Sequence, residues 1–550
     1  MPDSTMTVIP ANFSAFLSMP NTIPIRSVLQ VSDQSGGVTD DDAPVLWTPA
    51  TDWSQSGRGA RRMAICQIMK RGKSNIAPLE ILPKNDLNQL HVASLEILDT
   101  MGIMIHSMDA LKILANSGAE VDFKSRIARI PSHLVQEGLN KCRRPVKLCG
   151  RSPKFDFVMD GEHIHLSTDG TGIGVLEAET GQRRSSTKQD VADTALLADY
   201  LEYLNIYYPL VTPLDVPKHS HVLHELDASF NNCQKHITSG TTYLKEEAAF
   251  AIKMAQAVAG GSEELRKRPI LSAVTCTTSP LVLGLTTDAA IEFARAGVPP
   301  IIQAMPLVGA SSPVTLAGPI VLGNAQILAL ITIIELDSPG APVVYSSVPM
   351  AMEPQSGLFA AAFPSATMIS MAHIQMSKLY RLPIFVGGWG SCSKMPDEQA
   401  AYEKSIMGYS MVMAGADITS GPGLLENYTI LSFEQVLLDH EMYTMMLETL
   451  KGIEVSDETI AMDVCARVGH EGHFLGQKHT LNHFKELWVP SLSDPKPYQA
   501  WTKDGARSVV KAASQKVKSI LSSHRVDPLP RSVEDQLTGI VKEGEHRIPK

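Results

Sequence analysis

LPIFVGGWGSCSKMPD at residues 382–397, followed by GADITSGPGLLE at 415–426, reads as strand, glycine-rich loop, helix, strand, glycine-rich loop. Each loop starts just past the C-terminal end of an apolar strand, where α/β proteins place their chemistry. Working outward, the same alternation recurs. Strand patterns stand at 173–177, 206–211, 236–239, 270–274, 300–304, 343–346, 384–386 and 416–419. Helical patterns separate them, the last at 433–450. Eight βα units are the count that closes a TIM (β/α)8 barrel. An open doubly wound sheet would show GxGxxG after an early strand, and none occurs between a strand and a helix.

The expected organisation is an N-terminal extension at 1–75, a helical and β-hairpin cap at 76–185 leading into the first barrel strand, the barrel at 173–450, and a helical tail at 451–550. The extension is mixed in composition, with Trp47 and Trp53 near Arg58, Arg61 and Arg62. In the cap, Leu87, Leu90, Leu95 and Leu98 recur at helical spacing, and Asp160-Gly161, Asp169-Gly170 and Thr180-Gly181 read as turns. The tail holds a basic amphipathic stretch at 506–521 whose apolar positions fit an ordinary packing face.

With 550 residues, 44% of them hydrophobic, the chain can bury a large core. A net charge of −10 argues against nucleic-acid binding. Seven scattered cysteines, never spaced as CxxC, indicate neither a disulfide framework nor a zinc ribbon and suit a reducing compartment. No run of about 18 apolar residues is present, so the expectation is a soluble, cytoplasmic protein without membrane contact. A homo-oligomer is expected from the size of the barrel.

Residues just after the strands would form the mouth. They include Thr212, Thr241, Gln303, Met305, Tyr345, Phe359, Trp389, Ser420, Glu426 and Tyr428. Aromatic, methionine and small hydroxyl groups dominate, and strong acids and bases are few. Such a lining suits a methylated cation, whose methyls donate no hydrogen bonds and which aromatic faces hold at roughly 0.5–2 kcal/mol each. Tyr345, Phe359 and Trp389 are the expected wall, with Glu426 offsetting charge and Gln303 as polar support. His373 and Lys394 are candidates to hold a substrate carboxylate. The competing reading is core filling for Tyr345 and Phe359, and turn capping for Glu426. Cys392 could act as a nucleophile only with a lowered pKa, and no base adjoins it in sequence. His470, His473, His479 and His483 have spacings that share a helix face, as in metal sites, yet no cysteine joins them. A structural or docking role is favoured, and no tightly bound metal is expected.

The same residues carry a family likeness. Gly150-Arg-Ser-Pro153, Thr180-Gly-Gln-Arg-Arg184, Ser338-Pro-Gly-Ala-Pro-Val343, Gly387-Gly388, Ser393-Lys-Met-Pro-Asp397 with Glu403-Lys404, Gly423-Leu-Leu-Glu426, and Gly472-His-Phe-Leu475 through Trp488-Val-Pro490 occur in one order. From about Asn85 onward the chain resembles the trimethylamine:corrinoid methyltransferase superfamily. The resemblance implies a barrel whose mouth receives a separate, cognate corrinoid protein. It also implies that Gly388, Trp389, Gly390 and Ser391 replace the loop where the trimethylamine enzymes carry pyrrolysine. The chain is thus similar to the non-pyrrolysine branch, and the expected reaction moves a methyl group from a quaternary amine, glycine betaine first, to a Co(I) corrinoid. Proline betaine, carnitine or another methylated amine, or betaine binding without catalysis, are the alternatives. One departure is Cys392, where many relatives have Asp before the Ser-Lys pair.

Overall fold

The structure, a computed structural model, describes residues 76–549 except 171 and 471. The expected N-terminal extension, with its tryptophans and arginines, lies outside the described residues.

Eight parallel strands close a barrel in sequential order: β1 (His165–Ser167), β2 (Leu204–Tyr207), β3 (His236–Ser239), β4 (Leu271–Cys276), β5 (Pro300–Ala304), β6 (Val344–Ser347), β7 (Ile384–Gly387) and β8 (Ile418–Ser420). The intervening helices are α1 (Lys188–Tyr200), α2 (His221–Asn232), α3 (Lys245–Ala259), α4 (Thr286–Ala296), α5 (Ala317–Asp337), α6 (Pro364–Leu379), α7 (Glu398–Ala414) and α8 (Phe433–Leu450). The fold is the expected TIM barrel, with one correction. The first barrel strand is His165–Ser167, not 173–177. It carries two polar residues in three, so its apolar signal is weak. The more apolar Gly174–Leu176 instead joins an outer sheet, pairing with Arg183–Ser185 and Ile430–Leu431.

Strand alternation decides what faces inward. Ile206, Val274, Ile301, Val344, Phe385 and Ile418 meet inside the barrel with Val146, Leu148 and Met159. Those last three belong to a hairpin, Val146–Leu148 against Phe157–Met159, that plugs the base. Phe157 lies 4.2 Å from the His165 ring, and His236 is hydrogen-bonded to the Cys149 carbonyl and to Ser272, both at 2.9 Å. Burial pushes His165 and His236 down to about 4, so both are neutral.

Helix α5 is apolar on all sides because it is covered on all sides. It packs inward on β5 and outward on the cap helices Lys84–Glu96, Met108–Asn116 and Ser132–Lys141. It is long and apolar enough to span a membrane, as a buried core helix can be, and most of it is buried within the protein.

Candidate functional site

Asp169 follows β1 directly and is buried at the C-terminal mouth. Its Oδ2 accepts the Ser420 hydroxyl at 2.9 Å and its Oδ1 accepts the Gly170 N–H at 2.8 Å. Burial raises its pKa, and those hydrogen bonds and the charge of Lys404 oppose the rise. Tyr208, just past β2, lies against Gly170 so closely that any side chain there would collide with its ring. Its phenol is held protonated by burial and by its neighbours Asp169, Cys276 and Glu225. Around the same opening Gln303 Oε1 accepts the Ser346 hydroxyl at 3.2 Å, and Cys276 Sγ lies 3.4 Å from Thr241 Oγ1 and 3.7 Å from Met305 Sδ.

Tyr428 closes the ring from the β8 side. It ends three successive left-handed residues, Glu426, Asn427 and Tyr428, with φ of 44°, 55° and 68°. That conformation costs on the order of 1 kcal/mol per residue outside glycine and persists only where surroundings impose it. Here the β7 loop imposes it. The Glu426 and Asn427 N–H groups donate to the Ser393 and Ser391 carbonyls, both at 2.7 Å, and Asn427 Oδ1 accepts the Ala361 N–H at 3.0 Å. The turn drives the Tyr428 phenol toward the β7 loop, where a Cβ at Gly390 would stand 2.9 Å from its oxygen.

Buried charge mounts both glycine-rich loops. Lys404 of α7 and Asp439 of α8 are fully buried and paired at 3.0 Å. Lys404 Nζ also donates to the Trp389 carbonyl at 2.7 Å and reaches the Gly421 carbonyl at 3.4 Å, while Asp439 Oδ2 accepts the Gly423 N–H at 2.8 Å. Burial lowers the lysine and raises the aspartate, and their mutual attraction opposes both shifts. Glu403 accepts the Ser391 hydroxyl at 2.8 Å and the Cys392 N–H at 2.7 Å. The Glu403-Lys404 pair noted in the sequence is thus the underside of the mouth.

The structure relocates several expected site residues. Tyr345 alternates with the inward Val344 and Ser346, so it points outward. Its hydroxyl meets His373 Nδ1 at 2.7 Å and Asn324 at 3.0 Å, between the barrel and helices α5 and α6. His373, also on that outer side, is pushed down to about 3 by burial and is no carboxylate partner. Trp389 is fully buried with Leu166, Val412 and Tyr443, on the helix side of the wall, and its indole rests 3.0 Å from where a Gly408 Cβ would be. Leaving β7 over Gly388 turns it outward, so it anchors the loop and does not line the mouth. Glu426 is committed to Arg183 at 2.6 Å on the outer sheet. Lys394 Nζ is exposed and donates to the Cys392 carbonyl at 2.8 Å. Cys392 Sγ lies 3.2 Å from Asn427 Oδ1, and burial raises its pKa, which keeps it a thiol. Phe359 sits half-buried opposite Met352 in a hairpin after β6. Gln303 lies near the end of β5 and accepts the Ser346 hydroxyl.

Two separate misplacements hide Asp169 and Tyr208: reading 173–177 as the first strand leaves Asp169 before it, and running the second strand over 206–211 leaves Tyr208 in its middle, whereas it ends at Tyr207. Asp169-Gly170 then looked like a hairpin turn. Ending β1 at Ser167 and β2 at Tyr207 exposes both as strand-end residues. The outcome is a recessed carboxylate beside two tyrosines and small polar groups, a chemistry suited to holding a cation. In the tail, the His479 and His483 rings lie 4.4 Å apart at a tilt of 36°, and His483 pairs with Glu486 at 2.9 Å. Among the described residues no three potential ligands gather to hold a metal ion.

A family model described as Trimethylamine methyltransferase (MTTB) matches residues 53–549. The chain is 34% identical to Trimethylamine methyltransferase MttB of Desulfitobacterium hafniense (strain DSM 10664 / DCB-2), over 84% of this chain and 93% of that one. It is 31% identical to Trimethylamine methyltransferase MttB of Methanosarcina barkeri, over 85% and 95%. It is 29% identical to Glycine betaine methyltransferase of Desulfitobacterium hafniense (strain Y51), over 77% and 88%.

Proposed function

From its membership of the trimethylamine methyltransferase family, to which this chain belongs, we propose that it moves a methyl group from a quaternary amine, glycine betaine first, to the Co(I) corrinoid of a partner protein. Relatives named for trimethylamine are the more identical ones, so the substrate reading stands on the mouth and its loop. The observation that carries it is Asp169. This buried carboxylate beside Tyr208 and Tyr428 offers countercharge and aromatic faces to a methylated ammonium, which needs both and can donate no hydrogen bond through its methyls. The loop from Gly387 to Lys394 contains only standard residues, which supports a substrate that needs no further activation.

The chemistry agrees with this. A quaternary nitrogen leaves as a neutral tertiary amine, whereas a neutral tertiary amine would have to leave as a poor anionic group. The corrinoid is a second substrate, arriving on its own protein and supplying the nucleophile. This chain's residues then orient the methyl and exclude water. Asp169 and the two tyrosines would hold the ammonium. Gln303 and Ser420 would order the remaining polar atoms, and Phe359 would flank the entrance.

Incubating the protein with reduced cobalamin and glycine betaine tests the reading through the absorbance of methylcobalamin. Formation with glycine betaine but not with trimethylamine is expected. Transfer from trimethylamine, or none from a panel including proline betaine and carnitine, would overturn the substrate assignment. Calorimetric betaine binding without transfer would favour a non-catalytic binder.

A further inference from the structure

The end of the barrel remote from Asp169 carries a cleft of about 380 Å³. It is walled by the chain entering β4, β5 and β6, at 266–269, 294–297 and 338–342, and by Lys147 of the hairpin that plugs the base. Five cationic side chains line it, Arg143, Lys147, Arg266, Lys267 and Arg295, and no acidic one does. The rest of the lining is proline, glycine, alanine and Ser338. Ser338-Pro-Gly-Ala-Pro-Val343 is one of the stretches that carry the family likeness, yet it lies at the opposite end from the mouth.

Their partners separate these cations into two groups. Arg295 is neutralised by Asp337, through hydrogen bonds at 2.7 and 2.9 Å, and by Glu292 at 2.9 Å. Lys147 meets Asp156 at 3.0 Å, and Lys267 meets Glu264 at 2.9 Å. Among the described residues Arg143 meets no carboxylate, and Arg266 donates to the Arg295 carbonyl alone. Two guanidiniums therefore border the cleft with their charge unbalanced, in a chain whose net charge is −10. The walls are fixed in advance. Buried Glu335 accepts the Gly340 N–H at 2.7 Å, and Gly297 lies so close under Arg266 that a Cβ there would stand 3.1 Å from its Cγ. Binding groups ordered beforehand lose less entropy when a ligand arrives.

We propose that this cleft binds a small phosphorylated metabolite, with Arg143 and Arg266 holding a phosphate dianion. A dianion balances the two free charges, and the planar guanidinium fork matches phosphate oxygens in pairs. Lys147 and Lys267, each shared with a carboxylate, add a weaker attraction. The lining offers no aromatic ring on which a base could stack, so the ligand is a compact phosphate and not a nucleotide. A walled cleft of this volume suits a small molecule, whereas a long polyanion would meet the net negative charge of the chain. Because Lys147 belongs to the plug hairpin, the bound anion ties that hairpin to the loops entering the barrel strands.

Isothermal titration calorimetry on the full chain with pyrophosphate and with ribose 5-phosphate, at physiological ionic strength, tests this. One site per chain with a Kd of about 10–100 μM for at least one of them is expected, together with a raised Tm. Arg143→Ala, which breaks no contact within the chain, should weaken binding about tenfold, and adding Arg266→Ala should bring the loss to about a hundredfold. Both variants should keep the far-ultraviolet circular dichroism of the natural protein, since both side chains are exposed. Lys511→Ala with Arg531→Ala, which removes exposed cations elsewhere, should leave the affinity unchanged. Absence of binding by either probe, equal affinity for sulfate, tighter binding of a nucleoside triphosphate than of pyrophosphate, or full affinity in the double variant would each overturn the proposal.

Discussion

The loops at 387–394 and 420–428 hold five glycines and little apolar surface, yet they are pinned from beneath by Lys404, Asp439 and Glu403. The arm at 452–490 has the opposite constitution. It is rich in exposed hydrophobic side chains, two of its residues are buried, and it is tied down at its ends. The contrast teaches that ordered backbone can be specified in two ways. Buried charge inside the chain shapes the mouth, whereas the arm is held at its end by Glu441, which accepts the Ser491 and Leu492 N–H groups, and by local turns while its apolar side chains stay exposed.

The largest expected effect comes from removing one half of the buried pair. Lys404→Met leaves Asp439 charged and unpaired, and should cost about 3–5 kcal/mol of stability in urea unfolding. Adding Asp439→Leu should recover most of that. Methyl transfer should stay low in the double variant, because the Trp389 and Gly421 carbonyls and the Gly423 N–H have then lost their partner. Recovery of full activity in the double variant would show that the pair serves stability alone.

Acidification separates the two regions next. His165 and His236 lie at about 4, and His373 and His440 at about 3, all lowered by burial. Unfolded, each takes up a proton near pH 6.5, so the stability they contribute is present above that pH and is lost as pH falls toward 4 and 3. The slope is up to about 1.4 kcal/mol per pH unit for each histidine. His483 in the arm has the opposite sign. Its hydrogen bond with Glu486 raises its pKa, so its contribution is present at low pH and is lost as pH rises through the raised value. Thermal melts between pH 7 and 5 should therefore show the barrel weakening, and His373→Asn should shallow the slope.

Smaller effects concern the mouth. Asp169→Asn should lower kcat/KM for a quaternary amine about 10- to 100-fold, in line with the roughly 1.5–3 kcal/mol of a charged contact, without loss of stability. Tyr208→Leu or Tyr428→Leu should raise KM about 2- to 30-fold, the range of one aromatic face at roughly 0.5–2 kcal/mol. Smallest of all, Leu475→Ser in the arm should change the stability of the protein by less than about 0.5 kcal/mol, since that side chain is 80% exposed. A larger loss would mean that the arm packs against its own chain.

The barrel was legible because strand and helix alternate through seven regular units, and that repetition outweighs the weak apolar signal of single strands such as His236–Ser239 and Ile418–Ser420. The first strand was not. His165 and Ser167 face a plugged, partly polar interior, so periodicity sees little there. The displaced start hid Asp169, and the overlong second strand hid Tyr208. Trp389 and Tyr345 were misread for a different reason. Their positions after or within strands were correct, but which way each points depends on pleat parity and on Gly388 and Gly408, whose lack of a side chain matters only in three dimensions. Glu403 and Lys404 stood out as a motif, while their role beneath two loops distant in sequence could not be seen from it.

The hairpin that fills the base of the barrel has a kinetic consequence. With Val146, Leu148, Phe157 and Met159 stopping the far end, a molecule in the interior has a single way in and out. For the proposed reaction the amine and the corrinoid protein share that doorway. The amine must therefore enter first and its demethylated product must leave last. Initial rates should follow an ordered sequence, and excess partner protein should slow turnover by capping the entrance before the amine has entered.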